Sequence, residues 1–281
     1  MRLETAVVPT GLGELYVQVV GSGPPALLWH SLFVDARSWD GMRAPLSEHR
    51  QLVIVNGPGH GGSGGPYSAF SLDDCATAAI EILAAVGFPD DAVDWVGNAW
   101  GGHVGVAFAA GMPQRCRSLV AIGTPIKALP RREARQVRLL RAVYRLTGPI
   151  DPLVRPLCDG LLGRSGDPDH KQLVAQAFRG AERTAMASAI QSVSLHGPDL
   201  NERLPAVIAP TLFVAGANDP TCTPDEACAA AALVRHGRSD SVPGGGHVAP
   251  LYEAPDALAS LVQCFWGEVE GVGEPGAPGS R

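Results

Sequence analysis

The sequence predicts an α/β fold: a mostly parallel, twisted sheet with helices on both faces, interrupted by one all-helical insertion. Three observations carry that reading. Short apolar runs alternate with runs of helical period through the first half of the chain. One apolar run, Val93–Val96, passes through a sharp glycine-flanked turn straight into a helix of small residues. From about Pro130 to Arg203 strand-like patterning stops, and it resumes at Thr211.

The elements follow in order. Leu15–Val20 and Ala26–Trp29 read as strands separated by the turn Gly21-Ser22-Gly23-Pro24-Pro25. Gln51–Val55 is a third strand, and the glycine-rich run Asn56 to Gly65 after it is a loop. Ser71 has the chemistry of an N-cap, with Asp73 and Asp74 placed to favour the positive end of a helix dipole. Ala76, Ala79, Ile80, Leu83 and Val86 continue that helix at its own period, and Gly87 and Pro89 end it. Val93–Val96 is a short buried strand, Trp100–Ala110 a helix, and Ser118–Ile122 the next strand. Thr211–Ala215 and Ser239–Val242 complete the sheet, and a last helix covers Pro255–Trp266. The expected organisation is a core of residues 1–127 and 206–266, a helical lid insertion over 128–205, and a disordered Gly/Pro-rich tail over 267–281.

Composition narrows the function classes. The 281 residues suit one large domain with an insertion. A formal charge of -6 lacks the basic footprint that nucleic-acid binding needs. No secretory signal and no run of about 18 apolar residues is visible, so the expected location is cytoplasmic, with no membrane partner. The 6 cysteines form no C-x-x-C pair and read as reduced thiols. No metal-ligand cluster stands out, and no cofactor is expected. Gly57–Gly65 lacks the G-K-[ST] ending of a phosphate loop. Arg131, Arg132, Arg135, Arg138, Arg141 and Arg145 share one expected helix, whose simplest reading is a solvated charged face.

The most informative stretch is Gly97-Asn98-Ala99-Trp100-Gly101. It resembles the nucleophile elbow of the α/β-hydrolase superfamily, G-x-S-x-G, with Ala99 at the serine position. The resemblance extends from about Leu15 to Trp266. Trp29-His30-Ser31-Leu32-Phe33 resembles the family's oxyanion loop, with Ser31 where glycine is common. Asn56-Gly57-Pro58-Gly59-His60-Gly61-Gly62-Ser63 resembles its D-x-P-G-x-G-x-S loop, with Asn56 for Asp. Thr211 to Asp219 and Val242 to His247 resemble the segments that carry the triad acid and base. In isolation Asp219 reads as part of an Asn-Asp-Pro turn and His247 as a surface histidine. In the order elbow, Asp, His they read together as a catalytic pair.

The resemblance implies roles. His247 would be the base, Asp219 its orienting carboxylate, and the backbone N–H groups of Trp100 and Leu32 the oxyanion donors. His30 belongs to the oxyanion loop and is a candidate substrate-binding residue, as is the Trp100 ring, which is equally well explained by packing. His60 and His103 read as local packing or loop residues. Cys222, three residues after Asp219, lies on the wrong loop to replace the nucleophile.

Ala99 has no oxygen and cannot form an acyl-enzyme. Either a serine has been replaced there, or the natural site works without one; Asn56, a second departure, points to the natural site. Three functions stay open. One is an esterase- or lactonase-like hydrolase of carbonyl compounds. Another is a serine-independent lyase, cyclase or water-attack enzyme using His247 and Asp219. The third is a non-catalytic binding protein. The expected partner in each case is a small molecule, and oligomeric state is left open.

Overall fold

The computed structural model describes residues 3–197 and 199–273. Its eight strands are β1 (Glu4–Thr10), β2 (Gly13–Gly21), β3 (Pro25–Trp29), β4 (Gln51–Val55), β5 (Val93–Asn98), β6 (Cys116–Ile122), β7 (Thr211–Gly216) and β8 (Gly237–Val242). They form one sheet in the order β1-β2-β4-β3-β5-β6-β7-β8. Strands β3 to β8 run parallel, while β1–β2 and β2–β4 are antiparallel. The ten α-helices of the described residues are α1 (Asp40–Leu46), α2 (Leu72–Ala85), α3 (Trp100–Gly111), α4 (Arg131–Thr147), α5 (Asp151–Leu162), α6 (Pro168–Gly180), α7 (Arg183–Ala189), α8 (Pro224–Ala231), α9 (Ala249–Glu253) and α10 (Pro255–Gly273).

Helices cover both faces because the central strands are apolar on both. Leu27, Trp29, Val53, Val55 and Trp95 pack with α2, α3 and the insertion in one cluster. Ala26, Leu28, Leu52, Ile54 and Val96 pack with α1 and α10 in the other. Near-continuous apolar strands are what a parallel sheet buried on both sides requires. Helix α2 starts where its cap predicts: Ser71 Oγ accepts from Asp74 N, and the Asp74 carboxylate accepts from Ser71 N.

Between β6 and β7 the described chain is entirely helical or irregular: α4 to α7, a π-helical turn over Ile190–Leu195, and short 3-10 turns. This insertion is tied to the loops beneath it. Phe178 of α6 packs edge-on against Phe33 at 5.4 Å and stacks on Tyr144 of α4 at 5.0 Å. Val248 N donates to Leu161 O of α5 at 2.9 Å, and Glu182 N donates to Gly59 O at 3.2 Å.

Sequence reading misses β1, α1, α8 and α9. Strand β1 is largely exposed on the sheet edge, so it lacks the apolar run of its neighbours. The expected tail at 267–281 is corrected in part: residues 267–273 continue α10, and 274–281 lie outside the described residues. Tertiary contacts accompany the helix through its helix-weakening glycines, and Val269 packs against the core there. Glu270 meets Arg50 at 2.6 Å, and Glu268 meets Arg238 at 2.5 Å.

Candidate active site

The C-terminal ends of parallel strands carry the site, the usual place in an open α/β sheet. Ala99 follows β5, Leu32 and Phe33 follow β3, Pro125 and Lys127 follow β6, Asp219 follows β7, and His247 follows β8. A cavity of about 180 Å³ lies at this edge. Ala99, Trp100, Ser31, Leu32, His103 and His247 line its floor side, and Leu161, Val193 and Ser194 of the insertion line the other.

The turn at Ala99 is an elbow in its backbone. Ala99 has φ 47° and ψ −102°, its N–H donates to Ile122 O at 2.8 Å, and α3 begins at the next residue. The flanking glycines are sterically required. A Cβ on Gly101 would fall 1.8 Å from Trp29 O, and one on Gly97 would fall 2.2 Å from the Gly101 carbonyl. Among the described residues, two non-glycine residues have positive φ: Ala99 and Phe33 at 73°. Both line the cavity. Such conformations cost on the order of 1–3 kcal/mol each and persist where surrounding structure imposes them.

Opposite Ala99, the Asp219 carboxylate is fully buried and accepts from His247 Nδ1 at 3.0 Å and from Thr221 N at 2.7 Å. A carboxylate only accepts, so Nδ1 keeps its proton and, in the neutral form of the ring, the lone pair is on Nε2. The Trp100 N–H is at the first position of α3, where no intrahelical acceptor exists. Leu32, on the loop after β3, also lines the cavity. Phe33 N–H is committed elsewhere, to His60 Nε2 at 3.3 Å.

The structure brings Ala99, Trp100, Leu32 and His247 to one cavity, with Asp219 behind His247. His30 is not on its wall. Its ring is fully buried, with Nδ1 at 2.7 Å from Ser31 O and Nε2 accepting from Gly57 N at 2.9 Å. Both nitrogens are spent on holding two loops together, so its place is that of an internal strut. His60 does the same work between Pro58 O and Phe33 N. Burial pulls the pKa of His30 down to about 4 and that of His60 down to about 3, so both are neutral at pH 7. The Trp100 ring lines the cavity and also packs at 5.6 Å on Trp29 and 5.4 Å on His60, so it joins site to core.

Asn56 has a local reason. Its Oδ1 accepts from Ala36 N at 2.7 Å and its Nδ2 donates to Gly61 O at 3.0 Å. A carboxylate could not make the second bond. Cys222 is buried, and burial together with Asp219 pushes its thiol up to about 12, away from nucleophilic use. Sequence reasoning assigns no cavity role to His103, Lys127 or Ser194. For His103 a signal existed: it stands four residues after Ala99 on one helix, hence on the same face.

The chain belongs to the alpha/beta hydrolase family, whose model matches residues 26–261. It is 27% identical over 262 residues to a pimeloyl-(acyl-carrier protein) methyl ester esterase of Xanthomonas oryzae, covering 89% of this chain and 98% of that one. Over 122 residues it is 32% identical to a 2-hydroxy-6-oxo-2,4-heptadienoate hydrolase of Pseudomonas putida, covering 43% of this chain and 41% of the other. Among solved structures, an esterase of Thermogutta terrifontis superposes with a TM-score of 0.86 at 22% identity, covering 95% of this chain and 99% of that one. The enol-lactonase of Burkholderia xenovorans gives 0.83 at 21%, covering 94% and 100%. These two likenesses show the fold.

Proposed function

We propose that this chain hydrolyses ester- or lactone-type carbonyl compounds without a seryl nucleophile. The observation that carries the reading is the His247–Asp219 hydrogen bond of 3.0 Å beside a cavity that also holds Ala99. His247 Nε2 takes a proton from water as the water oxygen attacks the carbonyl carbon. The Trp100 and Leu32 N–H groups stabilise the oxyanion. Collapse of the tetrahedral intermediate breaks the bond to the leaving alkoxide, which recovers the proton from His247. Asp219 keeps the imidazole in the required tautomer and stabilises its charged form.

The relatives support the substrate class, since those named above include esterases and an enol-lactonase. The cavity wall supports small, largely apolar substrates: Leu32, Phe33, Leu72, Trp100, Leu161 and Val193 line it. The helical segment 128–205 acts as a lid, contributing Leu161, Val193 and Ser194 to the wall. Without a covalent step the rate enhancement is modest, about 10³-fold over water, as oxyanion donors and binding retain when a triad member is missing.

The test uses 4-nitrophenyl acetate and butyrate with γ-butyrolactone. The native chain should turn over at least one of them without a burst phase. It should resist fluorophosphonate labelling and lose activity in His247→Ala. Hydrolysis no faster than buffer for the whole panel, or a His247→Ala variant as active as the native chain, would overturn the reading.

A further inference from the structure

Helix α3 brings a second imidazole to the cavity. His103 stands one turn beyond Ala99, and its backbone N–H donates to Ala99 O at 2.9 Å. Its side chain lines the cavity together with His247. His103 Nε2 lies 2.7 Å from Pro125 O. A carbonyl oxygen only accepts, so Nε2 carries the ring proton and Nδ1 carries the lone pair. Burial draws the ring's pKa down to about 4, with nearby His247 acting in the same direction, so at pH 7 the ring is neutral.

His103 differs from the other two neutral histidines of this region. His30 and His60 use both ring nitrogens on backbone groups. No described residue bonds His103 Nδ1. The remaining polar side chains on the wall are Ser31, Lys127, Ser194, His247 and Trp100, whose indole Nε1 is itself buried. Ser31 Oγ makes a long contact of 3.4 Å to Leu32 O, His247 is tied to Asp219, and Lys127 is exposed at the rim. His103 therefore presents an acceptor to the cavity from a wall that is otherwise mostly apolar.

We propose that His103 Nδ1 is a specificity-determining acceptor that reads a hydroxyl or N–H group on the substrate, close to the carbonyl that reacts. The inference deepens the proposed function and rests on it for the placement of that carbonyl over Ala99. One helical turn is about 5.4 Å, so the donor group sits a few bonds from the carbonyl carbon. The substrate class becomes hydroxy- or amino-substituted esters and lactones. A site built to bond such a donor discriminates against the analogue lacking it more strongly than an apolar pocket discriminates by size.

The experiment is a binding titration of the full chain with matched pairs. Ethyl 2-, 3- and 4-hydroxybutyrate are each compared with ethyl butyrate and with their methoxy counterparts, by calorimetry and by 15N NMR of histidine-labelled protein. At least one hydroxy ester should bind tenfold or more tighter than its partners and shift the unprotonated Nδ1 resonance of His103. His103→Leu should erase that preference, and His103→Asn, which restores an acceptor near the Nδ1 position, should recover part of it. Thermal melts of both variants establish that they fold. The proposal is overturned if no hydroxy ester outbinds its partners, or if the preference survives in His103→Leu. A preference seen in binding while no ester is turned over would sink the hydrolytic reading and leave the acceptor site standing.

Discussion

Strand β5 carries a polar constellation at each of its two ends, and the two are built on opposite terms. At its start, Asp94 is buried and saturated. It accepts from Arg50 Nε at 2.7 Å, from Arg117 Nε at 2.9 Å and from Ser118 Oγ at 2.6 Å, and Arg50 goes on to Glu270 at 2.6 Å and over the Trp266 ring at 4.7 Å. At its finish, Ala99 sits in a strained elbow beside an imidazole that Asp219 holds by one nitrogen only. The four lone-pair sites of the Asp94 carboxylate are all taken, by Arg50, Arg117 twice and Ser118, so it has no acceptor left to offer a ligand. The unsaturated one leaves a ring nitrogen of His247 without a partner among the described residues.

That contrast can be broken or sharpened by experiment. The largest effect belongs to the saturated end. Asp94→Ala leaves the Arg50 guanidinium buried without its carboxylate, which costs about 3–5 kcal/mol. Urea denaturation should show that loss, and a variant within about 1 kcal/mol of the native chain would refute the distinction.

At the open end a gain is expected. Ala99→Ser supplies an oxygen in a backbone already shaped for it, so stability should change by less than about 0.5 kcal/mol. Its esterase rate should rise by about 10²–10³-fold, and fluorophosphonate should label it. An unlabelled, inactive Ala99→Ser would mean that the elbow and His247 are not aligned for attack.

The histidine struts beside the open end predict a pH dependence. His30 and His60 have folded pKa values lowered by burial to about 4 and about 3, against an ordinary value of 6.5. Below pH 6.5 the unfolded chain takes up protons that the folded chain refuses. The stability they contribute is therefore complete above pH 6.5 and is lost as pH falls towards 4, at up to about 1.4 kcal/mol per pH unit for each ring. Urea midpoints measured from pH 7 to pH 5 should fall accordingly, and a flat profile would show that the rings charge freely in the fold.

The smallest effect is at the rim. Lys127 is the charged side chain of the cavity wall apart from the histidines, but it is exposed. Solvent screening limits its pull on an anionic group to about 1 kcal/mol. Lys127→Ala should raise KM for a carboxylate-bearing ester less than tenfold and leave kcat unchanged.

Much of this architecture was legible in the chain. Apolar runs locate β2 to β7, since period and length survive into the fold, whereas β8 is mostly polar and exposed and shows only as the short stretch Ser239–Val242. The glycines around Ala99 announce the elbow because no side chain fits beside Trp29 O or within the Gly97–Gly101 contact. Strand β1 was not legible because it is exposed, nor was the end of α10, where Val269 packs on the core and Glu270 and Glu268 meet Arg50 and Arg238. His30 and His103 were misjudged in opposite directions. Each is a histidine near the elbow, and their difference lies in which backbone carbonyls and amides their rings meet.

By itself the sequence determined the order of elements, the strained turn and the absence of a nucleophilic oxygen at residue 99, because period, steric bulk and side-chain chemistry are local properties. The tertiary structure alone decided which imidazole keeps a free lone pair beside Ala99 and which is consumed as scaffolding. A lone pair is claimed or left open by groups distant in sequence, and only folding brings those groups within hydrogen-bonding range.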